Sequence, residues 1–254
     1  MLLRADRLTK RLNQTLAVND VSFGLEAGET LALIGHSGCG KTTTLKMLNR
    51  LIEPDEGSLM LGGVNAFDMA GPDWRRRIGF VIQNAGLFPH RTVRENVLVT
   101  PRLLEWDEAR QSAKLEALLD MVGLPADEYA DRYPAELSGG QRQRIGLARA
   151  LAAEPEIVLM DEPFAALDPL TKSGLLDDID RLKSKLGFAS VVVTHDFGEA
   201  LRLADRIAVM DSGEIVQEGT AEELIRSPAN EIVSDLLSAP QKMAVSISRA
   251  FRPS

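Results

Sequence analysis

Thr30-Leu31-Ala32-Leu33-Ile34 is a nearly continuous apolar run that follows a turn at Glu26-Ala27-Gly28-Glu29. A run of this length suits a strand buried on both faces of a parallel sheet. Three runs of the same kind follow: Ile157–Met160, Ser190–Thr194 with its β-branched residues, and Ile207–Met210. Helical patterns lie between them. They cover Lys41 to Leu51, Asp107 to Val122 closed by Gly123, Ser138 to Ala153 stopped by Pro155, and Pro169 to Leu186 with Gly187 just beyond. Strands alternating with helices predict an α/β fold on a largely parallel sheet. The stretch from about Asn84 to Ala150 is helix-rich, lacks strand patterns, and reads as a helical subdomain inserted into the sheet domain. Residues from about Glu231 to Ser254 read as a short helix and a tail.

The chain has 254 residues, 44% hydrophobic and 26% charged, which suits one large domain or a domain with a subdomain. One cysteine, Cys39, leaves no intrachain disulfide and fits a reducing compartment. The net charge of −8 argues against nucleic acid as a partner, which a basic stripe would favour. The start, Met1-Leu2-Leu3-Arg4-Ala5-Asp6, does not read as a signal peptide, and no stretch approaches the roughly 18–20 apolar residues of a membrane span. The chain is therefore expected to be soluble by itself and to reach any membrane through a partner.

Gly35-His36-Ser37-Gly38-Cys39-Gly40-Lys41-Thr42 fits G-x-x-x-x-G-K-[ST], after a predicted buried strand and at the start of a predicted helix. Glycines let consecutive amides point at one anion, and the helix N-terminus adds partial positive charge. Lys41 can reach β- and γ-phosphates, and Thr42 can place its hydroxyl on Mg²⁺. The run Ile157–Met160 ends in Asp161-Glu162, where parallel sheets face their ligands. Two acids there would pass for a solvated turn if they stood alone. Beside a phosphate loop, Asp161 suits Mg²⁺, directly or through water, and Glu162 can polarise an attacking water as general base.

Leu137-Ser138-Gly139-Gly140-Gln141 opens the helix Arg142–Ala153, with Ser138 as a suitable N-cap. Taken alone this is a well-capped helix; with two glycines it is also a second place for an anion at a helix start. His195 follows one predicted strand and Gln83 another, Ile78-Gly79-Phe80-Val81-Ile82, on the side where the phosphate loop must lie.

Together these residues resemble the ABC ATPase family, over about Leu3 to Leu237 and in family order. Gly35–Thr42 resembles the Walker A loop, Gln83 the Q-loop glutamine, Leu137–Gln141 the LSGGQ signature, and Ile157–Glu162 Walker B with its catalytic glutamate. Ala166-Leu167-Asp168 resembles the D-loop and His195 the switch histidine. The resemblance implies a P-loop NTPase of ABC type, with an N-terminal antiparallel β subdomain and an inserted helical subdomain. The ATPase domain would span 1–237, with a core of about 1–83 and 151–230, a helical subdomain of about 84–150, and a tail of 238–254.

The resemblance further implies ATP and Mg²⁺ as cofactors and a head-to-tail homodimer. Each ATP would lie between Gly35, His36, Ser37, Gly38, Cys39, Gly40, Lys41, Thr42 and Thr43 of one subunit and Ser138, Gly139, Gly140 and Gln141 of the other. Thr42, Gln83 and Asp161 would serve the metal; Glu162, His195 and Gln83 would serve catalysis. One position departs from the family. Leu12 in Lys10-Arg11-Leu12-Asn13 stands where an aromatic residue usually stacks on adenine. Leu12 can cover the ring by apolar contact, and the change bears on adenine affinity and on selectivity over guanine.

Gly86–Asn96 and Asp161–Pro169 are similar to importer cassettes. Met47–Pro54, Gly79–Gln83 running into Gly86–His90, and Tyr133–Leu137 resemble the osmoprotectant group, which takes up glycine betaine, choline or related quaternary amines; Pro228-Ala229-Asn230 fits as well. The resemblance implies a transmembrane permease and, indirectly, a periplasmic or lipid-anchored substrate-binding protein. The chain would then lie at the inner, cytoplasmic face of the cell membrane. An importer of amino acids or sulfonates is the nearest alternative, and a non-transport ABC ATPase a more distant one. About two dozen residues follow Glu231, too few for a regulatory CBS domain, so direct sensing of ionic strength is not expected.

Overall fold

The structure is a computed structural model that describes residues 1–165 and 167–238. Ala166 of the D-loop motif and residues 239–254, nearly all of the expected tail, lie outside the described residues. Strands β1 (Leu3–Leu12) and β2 (Thr15–Leu25) form an antiparallel hairpin turned at Asn13, whose φ is 55°. Then come β3 (Thr30–Ile34), α1 (Lys41–Leu48), β4 (Glu56–Leu61), β5 (Val64–Asn65), α2 (Gly71–Arg76) and β6 (Ile78–Val81). Helices α3 (Val93–Val97), α4 (Val99–Leu103), α5 (Glu108–Met121), α6 (Ala126–Tyr129) and α7 (Gly139–Leu151) fill the next stretch, which carries no strand among the described residues. The chain returns through β7 (Ile157–Asp161), α8 (Pro169–Leu186), β8 (Ala189–Val193), α9 (Phe197–Leu203), β9 (Arg206–Asp211), β10 (Glu214–Gly219) and α10 (Ala221–Arg226). Residues 231–238 are helical.

Two sheets organise these elements. One is antiparallel, in the order β2-β1-β4-β5. The other runs β10-β9-β3-β8-β7-β6 and is parallel apart from β10. Every residue of β3 and β8 is buried, as their unbroken apolar runs require. On one face, Leu8, Val21, Leu45 and Leu59 from β1, β2, α1 and β4 pack onto Leu31, Leu33, Leu159 and Val191. On the other, Leu118, Ile145, Leu175 and Ile179 from α5, α7 and α8 pack onto Val158, Met160 and Val192. α9, α10 and the 231–238 helix close the β9 side through Phe197, Leu224, Val233 and Leu237.

Apolar contact, not charge, holds α7 on α8. Each fully buried aliphatic side chain is worth about 1.5–3 kcal/mol. The one deep ion pair between these helices joins Arg144 Nε to Asp178 Oδ2 at 3.0 Å. Burial raises the Asp178 carboxyl above its usual pKa although Arg144 and Arg181 both oppose the rise. Desolvation therefore consumes much of what that pair gains.

The helix expected to run to Leu51 ends at Leu48. Asn49 caps it, Arg50 adopts a left-handed φ of 49°, and Leu51 N donates to Lys46 O at 2.9 Å. The Arg50 guanidinium donates to the carbonyls of Ala66 and Met69 and pairs with Glu53, which draws the chain off the helical path. Among the described residues no helix is long and apolar enough to cross a membrane.

Candidate functional site

The carboxyl ends of β3, β7 and β8 bring the phosphate loop, Asp161-Glu162 and His195 to one edge of the parallel sheet. The loop enters α1 through Gly40, whose φ is 109° and where a Cβ would run into the carbonyl oxygen of Ala17. A side chain there is excluded on both counts. α1 starts with no side-chain cap, whereas α3, α5, α7, α8, α9 and α10 are each capped by a threonine, serine or aspartate. The first amides of α1 are thus left for an anion. Lys41 is buried, and its Nζ donates to the carbonyl oxygens of Gly35 and His36, both at 2.8 Å. His36, Ser37 and Gly38 are exposed at the rim, and Cys39 is buried beneath.

Thr42 Oγ1 donates to Asp161 Oδ1 at 3.0 Å and so ties the loop to the end of β7. Burial pushes the Asp161 carboxyl above its usual pKa; Thr42, Lys46 and Lys41 oppose the rise, and the Glu162 charge adds to it. A hydroxyl and a half-buried carboxylate beside a second carboxylate form an oxygen donor set that fits a hard divalent cation. Glu162 has a left-handed φ of 45°, sparsely populated for a residue with a side chain, and its amide donates to Val193 O at 3.0 Å. Its Oε1 lies 3.4 Å from His195 Nδ1, and the His195 side chain is 67% exposed. This is a carboxylate with a partner imidazole facing open solvent, able to accept a proton from water.

Gln83 is exposed and lies two residues beyond Val81, whose neighbour in β7 is Met160; Glu162 lies two beyond Met160. The turn after Gln83 takes three successive left-handed residues, Asn84, Ala85 and Gly86, with φ of 61°, 62° and 52°. Arg149 at the end of α7 holds this turn by donating to Ala85 O at 2.7 Å and Gly86 O at 2.8 Å. Asn96, fully buried, fixes the next residues through Phe88, Arg91 and Thr92. A groove of about 460 Å³ opens beside the turn, with Phe80, Ile82, Phe88, Val99 and Arg149 in its walls.

No hydrogen bond or ion pair among the described residues joins Ser138–Gln141 to the phosphate loop. Ser138 Oγ accepts from Gln141 N at 3.2 Å and Gln141 Oε1 accepts from Ser138 N at 2.8 Å, a reciprocal cap on α7. Gly139 is exposed, while Gly140 is buried against α8, where a Cβ would collide with the Thr171 methyl group. Leu12 ends β1 at the hairpin turn and is 40% exposed. Thr43 follows Thr42 in α1 and is half-buried. Asp168 of the D-loop motif caps α8 through the amides of Leu170 and Thr171.

Two groups around His195 escape a reading of the sequence alone. Asp196 caps α9, which its place before an amphipathic stretch could have shown; Lys172 reaches Asp196 and Glu199 from α8, which no local pattern signals. The Arg149 grip on residues 85–86 spans more than sixty positions and is equally silent.

The chain is similar to known proteins over most of its length. The family described as ABC transporter matches residues 18–165. The glycine betaine/carnitine/choline transport ATP-binding protein OpuCA of Bacillus subtilis is 50% identical over 221 residues, covering 87% of this chain and 58% of that protein. The glycine betaine uptake system ATP-binding protein YehX of Escherichia coli is 44% identical over 232 residues, covering 91% and 75%. A solved dimeric, post-hydrolysis structure of the ATP-binding cassette MJ0796 bound to ADP and Pi superposes with a TM-score of 0.76 at 31% identity, covering 86% of this chain and 98% of that one. The chain thus spans 58% of the length of the first of these relatives.

Proposed function

This chain belongs to the ABC transporter family, and from that premise we propose that it is the ATP-binding and ATP-hydrolysing subunit of an importer for quaternary-amine osmoprotectants such as glycine betaine and choline. The observation that carries the hydrolytic part is the meeting, at one sheet edge, of Thr42 with Asp161 and of Glu162 with His195. The cargo is supported by the printed functions of OpuCA and YehX.

Lys41 and the free amides of α1 bind the β- and γ-phosphates. Thr42 and Asp161, with Gln83 two residues beyond the end of β6, would hold Mg²⁺, which would draw charge from those phosphates. Glu162 takes a proton from the water that attacks the γ-phosphorus; the bond to the β–γ bridging oxygen breaks, leaving ADP and inorganic phosphate. His195 orients Glu162 and contacts the γ-phosphate. Ser138, Gly139, Gly140 and Gln141 complete the site of a second copy, which suits their lack of any hydrogen bond to this chain's own loop among the described residues. Residues 1–83 with 151–230 form the nucleotide core, and 84–150 the helical subdomain. The groove beside Gln83 receives the permease at the inner face of the membrane, with a substrate-binding protein supplying the solute from outside.

Leu12 makes base recognition loose. Stacking a base on an aromatic side chain is worth about 1–3 kcal/mol. Leu12→Tyr is therefore expected to tighten ATP binding about tenfold or more, and the chain as it stands to bind GTP within about tenfold of ATP. Competition against a fluorescent nucleotide checks both; a strong preference for ATP with Leu12 in place would mean that other contacts select adenine. The transport function is tested by uptake of labelled glycine betaine and choline in source cells carrying a chromosomal Glu162→Gln change. Loss of both uptakes is expected. Unchanged uptake in cells without a second betaine system would remove the cargo assignment.

A further inference from the structure

His195 projects into solvent, with Glu162 3.4 Å from its Nδ1, so its aim depends on the backbone on either side of it. Both flanking residues are tied by side chains. Thr194 Oγ1 donates to Glu199 Oε2, and accepts from the amide of Asp196 at 3.0 Å. Asp196 Oδ1 accepts from the amides of Gly198 at 2.7 Å and Glu199 at 3.3 Å, which starts α9. Thr194 and Glu199 are both buried. Two carboxylates, Asp196 and Glu199, therefore converge under one exposed histidine.

A single cation reconciles them. Lys172 Nζ lies 2.5 Å from Asp196 Oδ2 and 2.5 Å from Glu199 Oε1. Burial works against the lysine's charge, yet its bonds to the two acids outweigh that and hold its pKa above the usual value. Removing one partner of such a cluster leaves the others uncompensated, and like charges in partly desolvated surroundings repel strongly. Lys172 also stands in the first turn of α8, next to Thr171, against which Gly140 packs, and four residues after the cap Asp168. The loop after Glu162 ends at that cap, so the same turn fixes one end of the Glu162 segment and one side of the histidine segment.

We infer that Lys172 is a positioning residue for His195: by clamping Asp196 and Glu199 it sets the histidine at the distance from Glu162 that hydrolysis needs. Lys172 acts through the loop it holds, by its bonds to Asp196 and Glu199. The assignment rests on Glu162 and His195 being the hydrolytic pair proposed above.

The test uses the full chain. Lys172→Met is expected to lower kcat for ATP at least tenfold while the ATP Kd stays within twofold, and Lys172→Arg to stay within threefold of wild type. In a His195→Ala background, Lys172→Met is expected to change kcat by less than twofold, because the group it positions is gone. In the nucleotide-free chain, NMR signals of the His195 imidazole should shift or broaden in Lys172→Met and hold their place in Lys172→Arg. If Lys172→Met does not fold, Lys172→Gln carries the same comparisons with an expected drop of at least threefold. The assignment is overturned by a kcat within twofold of wild type, by an equal loss in the His195→Ala background, or by an unmoved imidazole signal. A wild-type chain without ATPase activity would sink the hydrolytic function instead, and the imidazole signal would still decide the role of Lys172.

Discussion

Glu162→Gln is expected to stop turnover and leave ATP binding intact. Glutamine keeps the shape of the side chain, so the 3.4 Å approach to His195 Nδ1 and the left-handed backbone are undisturbed. What is lost is the ability to accept a proton. General-base catalysis is worth about 10²–10⁴-fold, and kcat should fall within that range. None of the phosphate contacts proposed for Lys41, Thr42 or α1 involves Glu162, so the Kd for ATP should stay within about twofold. The variant should also accumulate as an ATP-bound dimer, visible as a shift in size-exclusion elution with ATP and Mg²⁺ and absent with ADP. Wild-type hydrolysis by this variant would take Glu162 out of the base role.

Lys41→Ala is expected to fail one step earlier, at binding. The ammonium is buried within the phosphate loop, where its two bonds to the carbonyls of Gly35 and His36 keep it aimed along the loop before any nucleotide arrives. A hydrogen bond to a charged group is worth about 1.5–3 kcal/mol, or about ten- to a hundredfold in affinity. The contacts to both β- and γ-phosphates proposed for Lys41 put the expected loss for ATP at about a hundredfold or more, with a smaller loss for ADP. Titration calorimetry with both nucleotides measures the difference. Unchanged ATP affinity would contradict the phosphate-loop assignment. The two variants separate the steps: one holds ATP and cannot cleave it, the other cannot hold it.

What the sequence disclosed follows from how local each signal is. β3, β7 and β8 were legible because strands buried on both faces leave no room for polar alternation. The phosphate loop was legible because its spacing and its strand–helix flanks lie together in one stretch, Thr30 to Leu48. α8 spans Pro169–Leu186, as its pattern and Gly187 just beyond it predicted, since its caps act within the chain's own turns. β1 and β2 were hidden from residue patterns and came only from the family resemblance. Arg7 and Asp20 take left-handed φ of 51° and 52°, and the β1–β2 register shifts between Ala5 and Leu8 and again before Lys10. Each irregularity breaks the alternation that would mark a strand. Links between distant segments were beyond reach as well. Thr42 meets Asp161 across 119 positions, and Lys172 meets Asp196 across 24, with nothing in either segment that names the other.

The packing of Gly140 on Thr171 bears on how a selection for growth on an osmoprotectant would be interpreted. Any side chain at 140 meets the α8 methyl group within the same chain, so a dead clone records that the two helices cannot close as readily as it records loss of the proposed contact to a second copy's phosphate. Gly139 escapes that ambiguity. A Cβ there would come no nearer than 3.9 Å to Leu167 and 4.0 Å to Arg142, both ordinary contact distances. Alanine at 139 should therefore leave the lone chain as stable as before, and a growth defect at that position would point to the proposed pairing with a second copy.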